Sequence, residues 1–154
     1  MLTGPQFSTD RLAAVRDRIA AAARRAGRDP AAVRLVAVSK QQPSGMVRAA
    51  AAAGQRDFGE NYLQEALPKM AELEPLGLDW HYIGQLQANK TRDVAQAFHW
   101  VHTVDRPRVA ERLSGQRPPH VLLTGCSMPP RSNGLGVSPT RWPSPTNCSK
   151  RRPP

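Results

Sequence analysis

Short apolar, β-branched runs alternate with helix-forming stretches through the first 123 residues of this chain. Strands joined through helices run parallel and cross over right-handed, and strands buried on both faces read as near-continuous apolar runs. Ser8-Thr9-Asp10 offers N-cap residues for a first helix whose Leu12, Val15, Ile19, Ala22, Ala23 and Ala26 recur at helical spacing. Gly27 and Asp29-Pro30 end it. Val33–Ser39 reads as a strand, and Pro43-Ser44 opens a helix closed by Gly54. A strand follows around Asp57–Gly59, then a helix from Tyr62 to Glu74, a strand over Asp79–Ile83 and a helix from Asn89 to Phe98. Trp100–Val104 is the fourth strand, Arg106–Leu113 a helix, and His120–Leu123 the start of a fifth strand. The expected fold is α/β with a parallel sheet.

Beyond Leu123 the pattern stops. The 154-residue chain carries 22 Lys/Arg against 12 Asp/Glu, for a net charge of +10. Residues 124–154 hold five of the basic residues, none of the acids, 7 of the 15 prolines and both cysteines, Cys126 and Cys148. Residues 1–123 therefore have 17 basic against 12 acidic groups, a net of +5, so half the charge belongs to a segment unlike the rest. Two readings of 124–154 stand side by side. One is a disordered basic Pro/Ser/Gly-rich tail. The other is an out-of-frame segment, because Cys126–Asn133, back-translated with GC-rich codons and read two bases along, can give an acid-containing, helix-forming sequence. The body has no cysteine for a disulfide or a thiolate metal site. No apolar run approaches the ~20 residues of a membrane span, and no signal-peptide pattern opens the chain. A cytoplasmic monomer without a membrane partner is expected.

Lys40 follows the first strand directly, where parallel α/β folds gather their ligands. A partly desolvated lysine there can form an imine with an aldehyde; the alternative is a solvated lysine opening a loop. Three more polar segments sit at strand ends: Phe58–Tyr62 with Asn61, Ile83–Lys90 with Gln87, Asn89 and Lys90, and Thr103–Arg106. Asn89 and Asp105 also suit helix N-caps. Each segment alone reads as a capped turn, but four at successive strand ends face one opening. His81 lies inside the third strand and His99 and His102 flank the fourth, without metal-ligand spacing and with no requirement that His81 and His102 meet. Core or rim positions suit all three, and His81 could also line the cavity. Phosphate-loop and nucleophile-elbow motifs are absent from the sequence. No aromatics interleave Arg24, Arg25 and Arg28 as a nucleic-acid footprint would need, so nucleic acid is not an expected partner.

Four blocks carry a resemblance: Leu35–Lys40, Gly54–Glu65, Trp80–Lys90 and His102–Arg106. In order and spacing they resemble the YggS/PROSC family of pyridoxal 5′-phosphate (PLP) homeostasis proteins, over about residues 11–123. The resemblance implies a (β/α)8 TIM-type barrel like the N-terminal domain of alanine racemase, with about five of eight strands in residues 1–123. It implies PLP as cofactor, Lys40 as its Schiff-base lysine, and Asn61 and His81 near the cofactor ring. It implies cofactor buffering or delivery, affecting amino-acid and keto-acid balance, without established turnover; a PLP-dependent racemase-like fragment using Lys40 as base is the alternative. The family's later phosphate-holding segments, Gly-Met-Ser-like and Arg-Ile-Gly-like, have no match in Thr124–Pro154, which marks the chain as truncated or frame-shifted after about residue 123.

Overall fold

The computed structural model describes residues 7–118. Four strands, β1 (Ala37–Val38), β2 (Asp57–Glu60), β3 (Asp79–Tyr82) and β4 (Trp100–Val101), form one parallel sheet in the order β1-β2-β3-β4. Helix α1 (Thr9–Arg25) precedes β1. Helices α2 (Ser44–Ala52), α3 (Leu63–Leu73) and α4 (Thr91–Ala97) make the crossovers, and α5 (Pro107–Gln116) follows β4. This is α/β architecture with the winding of an incomplete (β/α)8 barrel. The expected fifth strand, His120–Leu123, and the segment 124–154 lie outside the described residues.

Side-chain alternation gives the sheet two faces. Phe58, Trp80, Tyr82 and Val101 point toward the helices and pack with Val47, Ala66, Leu73, Val94, Phe98, Val109 and Leu113 in one buried cluster. Burying an aliphatic or aromatic side chain of this kind contributes about 1.5–3 kcal/mol, so this layer holds the sheet to its crossovers. The opposite, inner face carries Val38, Gly59, His81 and Trp100 in register. Val38 is 52% exposed, because this face has no apolar layer over it among the described residues.

Ser8 caps α1 as expected, its Oγ accepting from the Arg11 N–H at 3.4 Å, and Gly27 at φ +66° lies just past the helix end. Other expectations need correction. The strand foreseen over Val33–Ser39 pairs only at Ala37–Val38, because the Leu35 carbonyl is taken by the side-chain amide of Gln55 at 2.7 Å. The strand foreseen to Val104 stops at Val101. Asn89 caps no helix: it sits in a tight 3-10 turn, Ala88–Lys90, and α4 begins at Thr91. Asp105 is not the cap of α5 either; Arg106 holds that position and bonds Asp105 Oδ1 through Nε at 3.2 Å.

Candidate functional site

Two residues beyond the paired row Val38–Gly59–His81–Trp100 along each strand come Lys40, Asn61, Ile83 and His102, just past the carboxyl ends of the four strands. The sequence foresaw these strand ends as a shared opening, and the sheet brings Lys40 and Asn61 onto adjacent strand ends.

Lys40 is exposed and occupies the first central position of a tight turn, in which the Gln42 N–H donates to the Ser39 carbonyl at 3.1 Å. Gln41, the second central residue, has φ +58°, a left-handed conformation unusual for a residue with a side chain. Buried Ser39 continues the strand, its N–H donating to the Gly59 carbonyl at 2.9 Å. Its hydroxyl donates to Glu60 Oε1 at 2.7 Å.

Asn61 ends β2 beside Gly84, the residue that breaks β3. A Cβ on Gly84 would fall onto the Asn61 carbonyl oxygen, so only glycine lets these two strand ends approach. Thr103 Oγ1 donates to the Gly84 carbonyl from the end of the neighbouring strand. The Asn61 Oδ1 atom is buried and accepts no hydrogen bond among the described residues. An adjoining cleft of about 410 Å³ is bordered by Asn61, Tyr62, Tyr82, Gly84, Gln87 and Lys90.

His81 lies in the paired row and is 1% exposed. Its Nε2 is 3.0 Å from Asp57 Oδ1 and its Nδ1 is 2.8 Å from His102 Nε2. The expectation that His81 and His102 need not meet is thereby corrected: a two-residue step along adjacent parallel strands brings the rings together, with centroids 5.1 Å apart. A carboxylate only accepts, so the satisfied arrangement is Nε2–H of His81 donating to Asp57 and Nε2–H of His102 donating to His81 Nδ1. Both rings are then neutral. Burial lowers the pKa of His81 despite the opposing pull of Asp57, and burial lowers that of His102. Trp100 stacks on His81 at 5.4 Å, and the Arg34 guanidinium covers Trp100 at 4.8 Å while pairing with Asp57 at 2.9 Å. His99 stands apart, accepting the Trp80 N–H on Nδ1 at 3.0 Å.

The sequence reading missed Lys69. Its ammonium is buried between Glu60 at 2.7 Å and Glu65 at 2.9 Å, and it also donates to the Ser39 carbonyl at 2.8 Å. Glu65 and Lys69 are four apart on α3 with the acid first, a favourable helical pairing readable in the sequence. The Hydrogen bond from Lys69 holds the Glu65 carboxyl below its ordinary pKa.

Three comparisons bear on this arrangement. Residues 11–124 match the family model "Alanine racemase, N-terminal domain". The pyridoxal phosphate homeostasis protein of Pseudomonas aeruginosa is 52% identical over 140 residues, covering 91% of this chain and 58% of that protein. That of Escherichia coli K12 is 54% identical over 110 residues, covering 70% of this chain and 47% of its own length. The chain thus spans about half the length of the curated relatives it matches. PipY of Synechococcus elongatus PCC7942, solved with PLP bound, superposes with a TM-score of 0.61 at 45% identity, over 70% of this chain and 47% of that one. The match across residues 11–124 and the identity to these relatives place the chain in the alanine racemase N-terminal domain family, within its YggS/PROSC branch of pyridoxal phosphate homeostasis proteins.

Proposed function

We propose that this chain binds PLP through Lys40 and belongs to the machinery that buffers or delivers the cofactor, without turnover of its own. The observation that carries the reading is the pairing of an exposed lysine at the end of β1 with Asn61 on the adjacent strand end, whose buried Oδ1 has no partner among the described residues. A buried acceptor without a donor costs about 1–3 kcal/mol, and a ligand donor in the adjoining cleft would recover it. The cofactor supplies an aldehyde that reacts with a lysine amine. Lys40 would present that amine and Asn61 would hold the cofactor from the adjacent strand end; His81, with both nitrogens engaged by Asp57 and His102, would support the site rather than offer a proton. The names of the relatives and the PLP-bound neighbour support the same reading.

The phosphate end is less well served by residues 7–118, where Lys90 is the cation bordering the cleft. A charge-assisted hydrogen bond is worth about 1.5–3 kcal/mol, so its loss costs roughly tenfold or more in affinity. Binding is therefore weak, and pyridoxal binds within about tenfold of PLP. We place the cofactor-binding unit in residues 1–123, with 124–154 contributing no ligand. Titration of the whole chain with PLP and pyridoxal, read by the visible band of the lysine adduct, tests this. Lys40→Ala abolishes the band; tight binding that persists in that variant overturns the assignment. A racemase assay on free amino acids separates the enzymatic alternative, and no turnover is expected.

A further inference from the structure

The turn that carries Lys40 is gripped on both sides by one ionic cluster. On the strand side, the Ser39 hydroxyl donates to Glu60 at 2.7 Å and the Ser39 carbonyl accepts from Lys69 at 2.8 Å. On the loop side, the Gln41 N–H donates to Glu65 Oε1 at 2.6 Å. Lys69 joins the two carboxylates, at 2.7 and 2.9 Å. Lys69 and Glu60 are 6% and 0% exposed, and a buried ion pair is an expensive way to gain stability alone. The strain sits at the same place. Gln41 is, among the described residues, the only one other than glycine with a positive φ, and such a conformation persists only where the surroundings impose it. Here the imposing contact is the Glu65 carboxylate on the Gln41 amide.

We infer that Glu60, Glu65 and Lys69 are positioning residues that hold the Ser39–Gln42 turn so that the Lys40 amine faces the inner side of the sheet. Their bonds are to Ser39 and Gln41, not to the Lys40 amine, and so fix the backbone on either side of it. The inference rests on the reading of Lys40 as the aldehyde-binding lysine.

The test is the rate at which borohydride traps PLP on the intact chain, with the modified peptide located by mass spectrometry. Glu65 is at the solvent edge of the cluster, so Glu65→Ala spares the buried pair of Glu60 and Lys69. It slows trapping at Lys40 about tenfold or more, as misplacement of a reacting group does, with the thermal midpoint kept as the measure of folding. Glu65→Gln keeps an oxygen that can accept from the Gln41 amide and restores most of the rate. Hydrogen exchange at the Gln41 amide speeds up in Glu65→Ala and not in Glu65→Gln. Trapping at the wild-type rate in Glu65→Ala overturns the inference, as does failure of Glu65→Gln to outperform it. Trapping distributed over other lysines and unchanged in Lys40→Ala overturns the underlying assignment instead, so the two failures are distinct.

Discussion

Gly84 and His81 show how single positions set the inner face. A methyl group at Gly84 would fall onto the Asn61 carbonyl, so Gly84→Ala must push the ends of β2 and β3 apart. Overpacking of this kind costs about 1–3 kcal/mol; urea unfolding should show that loss, and the PLP-dependent band should weaken because Asn61 moves. His81 leads to a pH prediction. Its folded pKa lies below the ordinary histidine value of 6.5, chiefly through burial, and that of His102 is lowered as well. The unfolded chain therefore takes up protons first as pH falls through that value, and the fold loses stability toward acid. The thermal midpoint should drop between about pH 7.5 and about pH 5.5, and His102→Gln should flatten the drop; an unchanged slope contradicts the paired-imidazole arrangement. Lys40 and Asn61 were legible as candidates because each lies at the end of a strand expected from the sequence, Lys40 after Val33–Ser39 and Asn61 after the strand around Asp57–Gly59. The pairing of His81 with His102 was not, since it depends on register between two strands joined by a crossover, the two histidines lying 21 residues apart in the chain.

At the scale of elements, helices proved easier to place than strands. The helices followed from breakers and 3.6-residue spacing, which are local, although of the foreseen caps only that of α1 is used and Asn89 and Asp105 are not. Strand length depends on what lies alongside, and at both ends of the sheet a side chain replaces the ladder. Gln55 is the clearest case: its amide donates to the Leu35 carbonyl at 2.7 Å and the Asp57 carbonyl at 2.8 Å, while Arg16 of α1 donates to its Oε1 at 3.1 Å. One buried amide thus joins the entry of β1, the start of β2 and α1. Gln55→Leu would leave two carbonyls without these donors, at about 1–3 kcal/mol each where water cannot replace them. The expected result is a lower midpoint in chemical denaturation and faster amide exchange around Leu35 and Asp57, with α2 and α3 little affected. The same contact explains why Val33–Val36, strand-like in sequence and apolar but for Arg34, is not paired: a side chain takes the place of a strand partner. For α1 the apolar stripe was legible and its burial was not; Ala23 is its buried residue, while Val15 remains 40% exposed.

Among the described residues the sheet has a well-covered helical face and an open inner face. The inner face is where the barrel reading matters. Interiors of closed barrels are filled by layers of side chains, whereas here Val38 is half exposed and the candidate lysine follows two residues on. No helix among the described residues is long and apolar enough to cross a membrane. The net charge of +10 invites a polyanion partner, and half of it arises from Arg131, Arg141, Lys150, Arg151 and Arg152, in the segment without acids. Any retention on DNA should therefore come from these five groups and be steeply salt-dependent, since each neutralised phosphate contributes about 0.9 to the slope of log affinity against log salt. Replacing all five by glutamine should remove most of that slope while leaving the Lys40-dependent PLP band unchanged. If the band falls with the slope, the basic segment takes part in holding the cofactor phosphate, and the assignment of the binding unit to residues 1–123 gives way. If the slope survives the replacement, the nucleic-acid contact lies on the barrel body, where Arg24, Arg25 and Arg28 at the end of α1 are the exposed cations to examine next.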